Sequence, residues 1–275
     1  MPKKNLSSSG QTGPLSVGNV VSASLRIYRD HFKSYLGLAL VASLWLLVPI
    51  YGSAKYSAIL ALISRLAFGE VREKPETVSD ARREVNPRMW RFLWAGILTS
   101  MIFIGISLVG TIAMAILAGG AAAIFRQNYV IIGALVVVAV IAFLIIYIRI
   151  ISRLLIVELP LAIENNIDAS SAISRSWELT KGSVGRIQWI VFVGILVSLP
   201  ITIVVQILSW IVESVLKAVL GAESGIFFLV YYLLILLLSF GSGALVSPFW
   251  QAMKAIIYYD LRSRKEGFGL QIRKR

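Results

Sequence analysis

Two arginines four residues apart, Arg149 and Arg153, are followed by Glu158, Pro160 and Glu164. At that spacing both guanidiniums lie on one helix face, and ionisable groups near a membrane interior usually face protein or water and are often functional. Pairing them with Glu158 and Glu164 across a cytoplasm-facing cavity would make a binding site. The blander alternative has both arginines reaching headgroups along their stems and both carboxylates solvated. A second group, Arg175, Trp177, Glu178, Lys181 and Gly182, reads as a helix end. Glu178 and Lys181 stand at i,i+3 and are able to pair, and Gly182 suits the position after a last turn. The expected role is docking of that helix under a bundle. A third group, Asp260, Arg262, Arg264, Lys265 and Glu266, extends a last helix into the cytoplasm, there to meet lipid headgroups, to close back on Arg175 and Glu178 or, as is commoner for such a run, simply to be solvated. His31 is a weaker candidate for pH sensing. Pro200 and Pro248 read as ordinary kinks in long spans, and Ser239, Gly243 and Ala244 as a site of close helix approach.

No catalytic constellation accompanies these residues. The chain has no Cys and a single His, which removes thiolate nucleophiles, disulfides and His-based zinc sites. No cofactor or metal is expected, and no enzymatic activity.

The elements that must position these groups follow from composition. Of 275 residues, 57% are hydrophobic and 15% charged, and mean hydropathy is +0.80. A soluble domain carries about 25% charged residues. The chain is therefore expected to be an all-α integral membrane helical bundle. Residues 1–15 read as a disordered cytoplasmic tail and 16–275 as a single polytopic membrane domain. The polar first 20 residues lack the apolar core of a signal peptide, so insertion through the first span is expected.

Apolar runs at 36–51 and 56–68, with Pro49 to Gly52 between them, read as a helical hairpin, with one kinked helix or a re-entrant loop as alternatives. Uncharged stretches at about 92–118, 129–148, 187–212 and 225–253 read as four further spans, the first ending in a Gly/Ala-rich turn at 119–123. Basic residues test this layout. Residues 1–35 hold five Lys or Arg, 65–91 seven, 149–186 five and 254–275 seven, leaving Lys55, Arg126 and Lys217 one in each remaining connection. The positive-inside rule then predicts about six crossings with both termini cytoplasmic. The same distribution, interleaved with acidic residues, argues for anionic lipid headgroups as partners and against nucleic acid.

Each hairpin is preceded by a segment of similar design: Ser16 to Lys33, Val78 to Arg91 and Asp168 to Arg186. Apolar residues at helical spacing in the first, and Asp168 as an N-cap in the third, predict interfacial amphipathic helices. The expected architecture is three units, each an amphipathic helix followed by a hairpin, with the alternative that any loop between spans looks amphipathic, since the three segments do not align residue by residue.

Four stretches carry a resemblance: PLSVGNVVSASLRIYRDHF at 14–32, ELPLAIE at 158–164, AISRSWELTKG at 172–182 and YYDLRSRKEGF at 258–268. They resemble the bacterial membrane-domain family found attached to some glycerophosphoryl diester phosphodiesterases and also as stand-alone multi-spanning proteins. The resemblance implies the fold of the membrane part in a bacterial cytoplasmic or other internal membrane. It does not imply the phosphodiesterase activity, because one His cannot supply that enzyme's residue set. The near absence of polar residues in the middle of the later spans points to a non-enzymatic scaffold or assembly factor for a membrane complex, with another membrane protein or a second copy as partner. A transporter or lipid-handling protein is the alternative.

Overall fold

The computed structural model describes residues 15–125, 128–221 and 223–267. Apart from Leu15, the expected tail lies outside the described residues, as do Arg126 and Phe268. The described chain is an all-α bundle, with helices α1 (Val17–Asp30), α2 (Phe32–Trp45), α3 (Tyr51–Val71), α4 (Val78–Val85), α5 (Met89–Ile124), α6 (Tyr129–Leu154), α7 (Glu158–Ile163), α8 (Ala169–Thr180), α9 (Val184–Leu220) and α10 (Gly225–Glu266).

Four helices, α5, α6, α9 and α10, are long and apolar enough to cross a membrane. At about 1.5 Å per residue, the 36 residues of α5 and 42 of α10 exceed a hydrocarbon core of about 30 Å. The uncharged part of α10, 225–253, is the segment suited to hydrocarbon, and 254–266 carries charge. Apolar side chains such as Ile116, Val130, Val138, Trp210 and Leu229 point outward along these helices, as a lipid-facing surface requires. The remaining pair is different. The 14-residue α2 is a short apolar helix, while the 21-residue α3 carries Lys55, Arg65 and Glu70 yet is buried along much of its length. The two pack together as a hairpin, turning at 46–50, and are not one kinked helix. Gly52 is required at the turn, because a Cβ there would lie 1.7 Å from the Trp45 carbonyl oxygen.

The Gly/Ala-rich stretch 119–123, expected to be a turn, is instead helical, and α5 runs on to Ile124. Its three alanines favour helix strongly enough to offset two glycines. The chain turns only before Asn128, whose side chain caps α6 by accepting from the Ile131 N–H at 3.4 Å.

The three amphipathic segments form α1, α4 and α8, and each starts the same way. Ser16, Thr77 and Asp168 accept from the N–H three residues on, at 3.2, 3.1 and 2.8 Å, satisfying one otherwise orphaned helix donor. Each of these helices packs mainly on the hairpin of another unit: α1 on α9 and α10, α4 on α3, and α8 on α5 and α6. Taken cyclically, every unit's short helix sits on the hairpin before it, so the three units close into a ring. The core lies at this level, around α3, where Leu62, Ile63, Ile156, Leu159, Leu179 and Ile256 are nearly inaccessible to solvent.

Candidate functional site

Short α7 is the centre of the polar architecture. Its Pro160 falls in the first turn, where N–H groups have no helical partner to lose. Its last carbonyls would be orphaned in a buried setting, and arginines from elsewhere satisfy them. Arg65 of α3 donates to the Ala162 carbonyl at 2.7 Å, and Arg88 donates to those of Leu161 and Glu164 at 3.1 and 2.8 Å. Cations at a helix C-terminus also oppose its dipole favourably.

Beyond α7, Glu164 joins α8 to the charged end of α10. It accepts from Arg175 Nε at 3.3 Å and from the Tyr258 hydroxyl, with Arg262 3.9 Å away. Glu266 in turn accepts from Arg175 and, at 2.8 Å, from Arg262. The two guanidiniums and the Glu266 carboxylate favour one another's charged forms. Burial disfavours the charged guanidinium of Arg175, but Glu164 and Glu266 outweigh it and raise its pKa. Burial likewise opposes ionisation of Glu266, and Arg262 and Arg175 outweigh it, holding that carboxyl below its ordinary range. Burial, reinforced by Glu164, pushes the Tyr258 phenol well up, so it remains a donor. A parallel clasp lies beside it, where Asp260 accepts from Arg186 and from the Leu15 N–H at 3.1 Å, and Arg264 approaches to 3.5 Å. Every charge in these clasps has an opposite partner, an arrangement suited to docking helices together.

The other end of α7 differs. Lys254 Nζ donates to Glu158 Oε1 at 3.1 Å, and the Ser64 hydroxyl lies 3.1 Å from the same oxygen and 2.8 Å from Gln251 Oε1. Ser64 and Gln251 are buried, whereas the Lys254 and Glu158 side chains keep 18% and 25% of their exposure. That exposure is toward a partly open cavity of about 370 Å³ between α3, α5, α10 and the α6–α7 junction. Hydroxyls of Tyr56, Ser57, Thr99 and Ser100 edge it, and Leu60, Phe92, Phe103 and Leu155 form apolar wall. Among the described residues, Glu158 Oε2 and two of the three Lys254 N–H groups have no hydrogen-bond partner. A larger groove of about 570 Å³ runs between α9 and α10 past Pro200, Gly241 and Ser242, but among the described residues no ionisable group lines it. Among the described residues no cluster of His, Asp and Glu could hold a metal.

The residues singled out from the sequence separate here. The structure brings together Glu164, Arg175 and Arg262, with Glu178 3.8 Å from Arg175. It does not join Arg149 and Arg153 to Glu158 and Glu164. Arg149 is exposed, and Arg153 lies over the Trp177 ring, 4.3 Å from its centroid. Glu178 faces Arg175 rather than Lys181, which is exposed at the end of α8. Asp260 holds Arg186. His31 lies 3.3 Å from Glu70 of α3. Sequence reasoning missed Ser64, Arg65, Arg88, Gln251, Lys254 and Tyr258. A signal existed for part of this set: 251, 254, 258 and 262 recur at three and four residues, which places them on one face of α10. No known protein family, no curated protein and no solved structure matches the chain.

Proposed function

We propose that this multi-pass membrane protein is a non-enzymatic, lipid-handling protein that holds an amphiphile in the cavity at Glu158 and Lys254. The observation that carries the reading is an ion pair with unused hydrogen-bonding capacity, set in a cavity that has both hydroxyl-bearing and apolar walls. Ligand pockets of about 300–1,000 Å³ pair apolar walls with a few placed polar groups in this way. The cavity also lies beside α5 residues 92–103, at the start of a long uncharged stretch. With the basic segments inside, that is the depth of the cytoplasmic leaflet, where a headgroup and the start of its chains are found. In this reading the chain resides in a bacterial cytoplasmic or other internal membrane with both termini cytoplasmic. The α2–α3 hairpin is read as re-entrant on that same side, because Tyr51 at its tip packs 6.4 Å from Trp90, between Arg88 and Arg91 at the basic end of α5. The motif resemblance to the stand-alone phosphodiesterase-type membrane domain is compatible with such a role.

A second reading, a scaffold for a membrane complex, draws on the broad apolar faces of α5, α6, α9 and α10 and on the firmly clasped platform of α1, α8 and the end of α10. The two separate in one experiment. Protein extracted in mild detergent is weighed intact by native mass spectrometry, beside a Thr99→Leu variant that narrows the cavity and leaves the ion pair in place. Retained lipid that the variant loses supports lipid handling. A stoichiometric protein partner with no retained lipid in either form overturns it in favour of the scaffold.

A further inference from the structure

We infer that the cavity selects a zwitterionic lipid headgroup bearing a primary ammonium, a phosphoethanolamine group on an acyl-chain lipid; this rests on the lipid-handling reading. Among the described residues the cavity lining carries one cation and one anion, Lys254 and Glu158, and no third charge. An anionic headgroup that engaged Lys254 would stand against the Glu158 carboxylate, and a purely cationic one would stand against Lys254. A zwitterion meets neither penalty. Its ammonium takes over the contact that Lys254 now makes to Glu158 Oε1, or adds to it through the unused Oε2. Its phosphate accepts from the ammonium hydrogens of Lys254 that have no protein partner. One internal ion pair is thus exchanged for two charge-assisted pairs at no change in net charge, and charge-assisted hydrogen bonds are the strong ones.

The ammonium must be primary for a geometric reason. An ionised Glu158 carboxylate only accepts hydrogen bonds, and what it accepts at present is the –NH3+ group of Lys254. A trimethylammonium has no N–H to donate, whereas –NH3+ offers three. The hydroxyls of Tyr56, Ser57, Thr99 and Ser100 can accept from one part of the headgroup and donate to another. The wall of Leu60, Phe92, Phe103 and Leu155 leaves an apolar surface for the glycerol and first methylenes, so the lipid rather than its free headgroup is the ligand.

The test uses the full chain in nanodiscs made with equal parts phosphatidylethanolamine, phosphatidylcholine and phosphatidylglycerol, transferred to detergent, delipidated in steps and read by native mass spectrometry. Wild type should keep phosphatidylethanolamine in about tenfold preference, the value of one charge-assisted hydrogen bond. Glu158→Gln leaves the cavity with a net positive charge and should shift the preference to phosphatidylglycerol. Lys254→Gln should lose all three lipids to a similar extent. Melting temperatures of the variants identify any that fail to fold, and Thr99→Leu, with both charges intact, then serves as the site-blocking variant. Retention of phosphatidylglycerol or phosphatidylcholine over phosphatidylethanolamine, lost in Thr99→Leu, overturns the headgroup assignment and leaves lipid handling standing. Retention of no lipid overturns both. Binding of free phosphoethanolamine by calorimetry without retention of its lipid overturns the acyl-chain requirement.

Discussion

Replacing Glu164 by alanine should separate the charged end of α10 from α8 more effectively than any other single change. Glu164 is the one acceptor shared by Arg175, Tyr258 and, at longer range, Arg262, and its side chain is only 14% exposed. Removing one partner of a buried ion pair costs about 3–5 kcal/mol, because the other charge is left without compensation. Two features lower that figure. Arg175 retains Glu266 and Glu178, and Arg262 retains Glu266, while water reaches 25% of the Arg175 side chain. A loss of about 2–3 kcal/mol follows. At about 2–4 °C per kcal/mol, the melting temperature in detergent should fall by about 5–10 °C. A cycle of Glu164→Gln, Arg175→Gln and the double variant isolates the pair, with a coupling of about 1–2 kcal/mol expected for residues in one network. A melting temperature within about 1 °C of wild type for Glu164→Ala, or a coupling near zero, would refute the view that these residues clasp the helices together.

Acid should release the same clasp. The Glu266 carboxyl is held below its ordinary pKa in the folded chain, so its contribution is fully present above about pH 4.3, the unfolded value, and is lost as the pH falls through the lower folded value. Hydrogen exchange at 262–266 should be flat from pH 7 to 5 after correction for intrinsic rates and rise below that window; a rise already at pH 6 would contradict the assignment. Gly52→Ala should destabilise the hairpin by about 2 kcal/mol or more, because its Cβ would meet the rigid Trp45 carbonyl 1.7 Å away; an unchanged thermal melt would refute that contact. Trp177→Ala removes the stacked partner of Arg153, and at this half-exposed site the cost should be about 0.5–1 kcal/mol, measurable by the same melt; a loss several times larger would mean that Trp177 has a buried role. A cysteine at Lys55 should be protected from a membrane-impermeant maleimide added on the side opposite the C-terminus, because the hairpin tip packs on Trp90 at the basic end of α5; labelling from that side would mean that the α2–α3 hairpin crosses.

Much of the helical plan was legible because it depends on local chemistry. Uncharged runs of more than 25 residues mark α5, α9 and α10, as hydrocarbon excludes unpaired charge. Asp168 opens an amphipathic helix through a side-chain cap, which is a matter of three residues' spacing, and the structure adds the same cap at Ser16 and Thr77. The turn at 119–123 was misplaced for a local reason too, since alanine content outweighed the two glycines. What was not legible is which charge meets which. Arg65 sits between apolar residues and looks like the edge of a span, yet it belongs at the centre because a carbonyl of α7, 97 positions along the chain, needs a donor. Lys254 looks like the first residue outside a span, yet it borders a cavity because α7 delivers Glu158 to it across 96 positions. By itself the sequence determined an all-α helical bundle with long apolar segments, and it left the three-unit repeat open. The tertiary structure alone decided that the units close in a ring around α3, and that of two carboxylates six residues apart, Glu164 meets Arg175, Tyr258 and Arg262 in a clasp while Glu158 meets Lys254 at the edge of a cavity. Periodicity and capping are properties of neighbouring residues. The partner of a buried charge is set by packing between segments far apart in the chain.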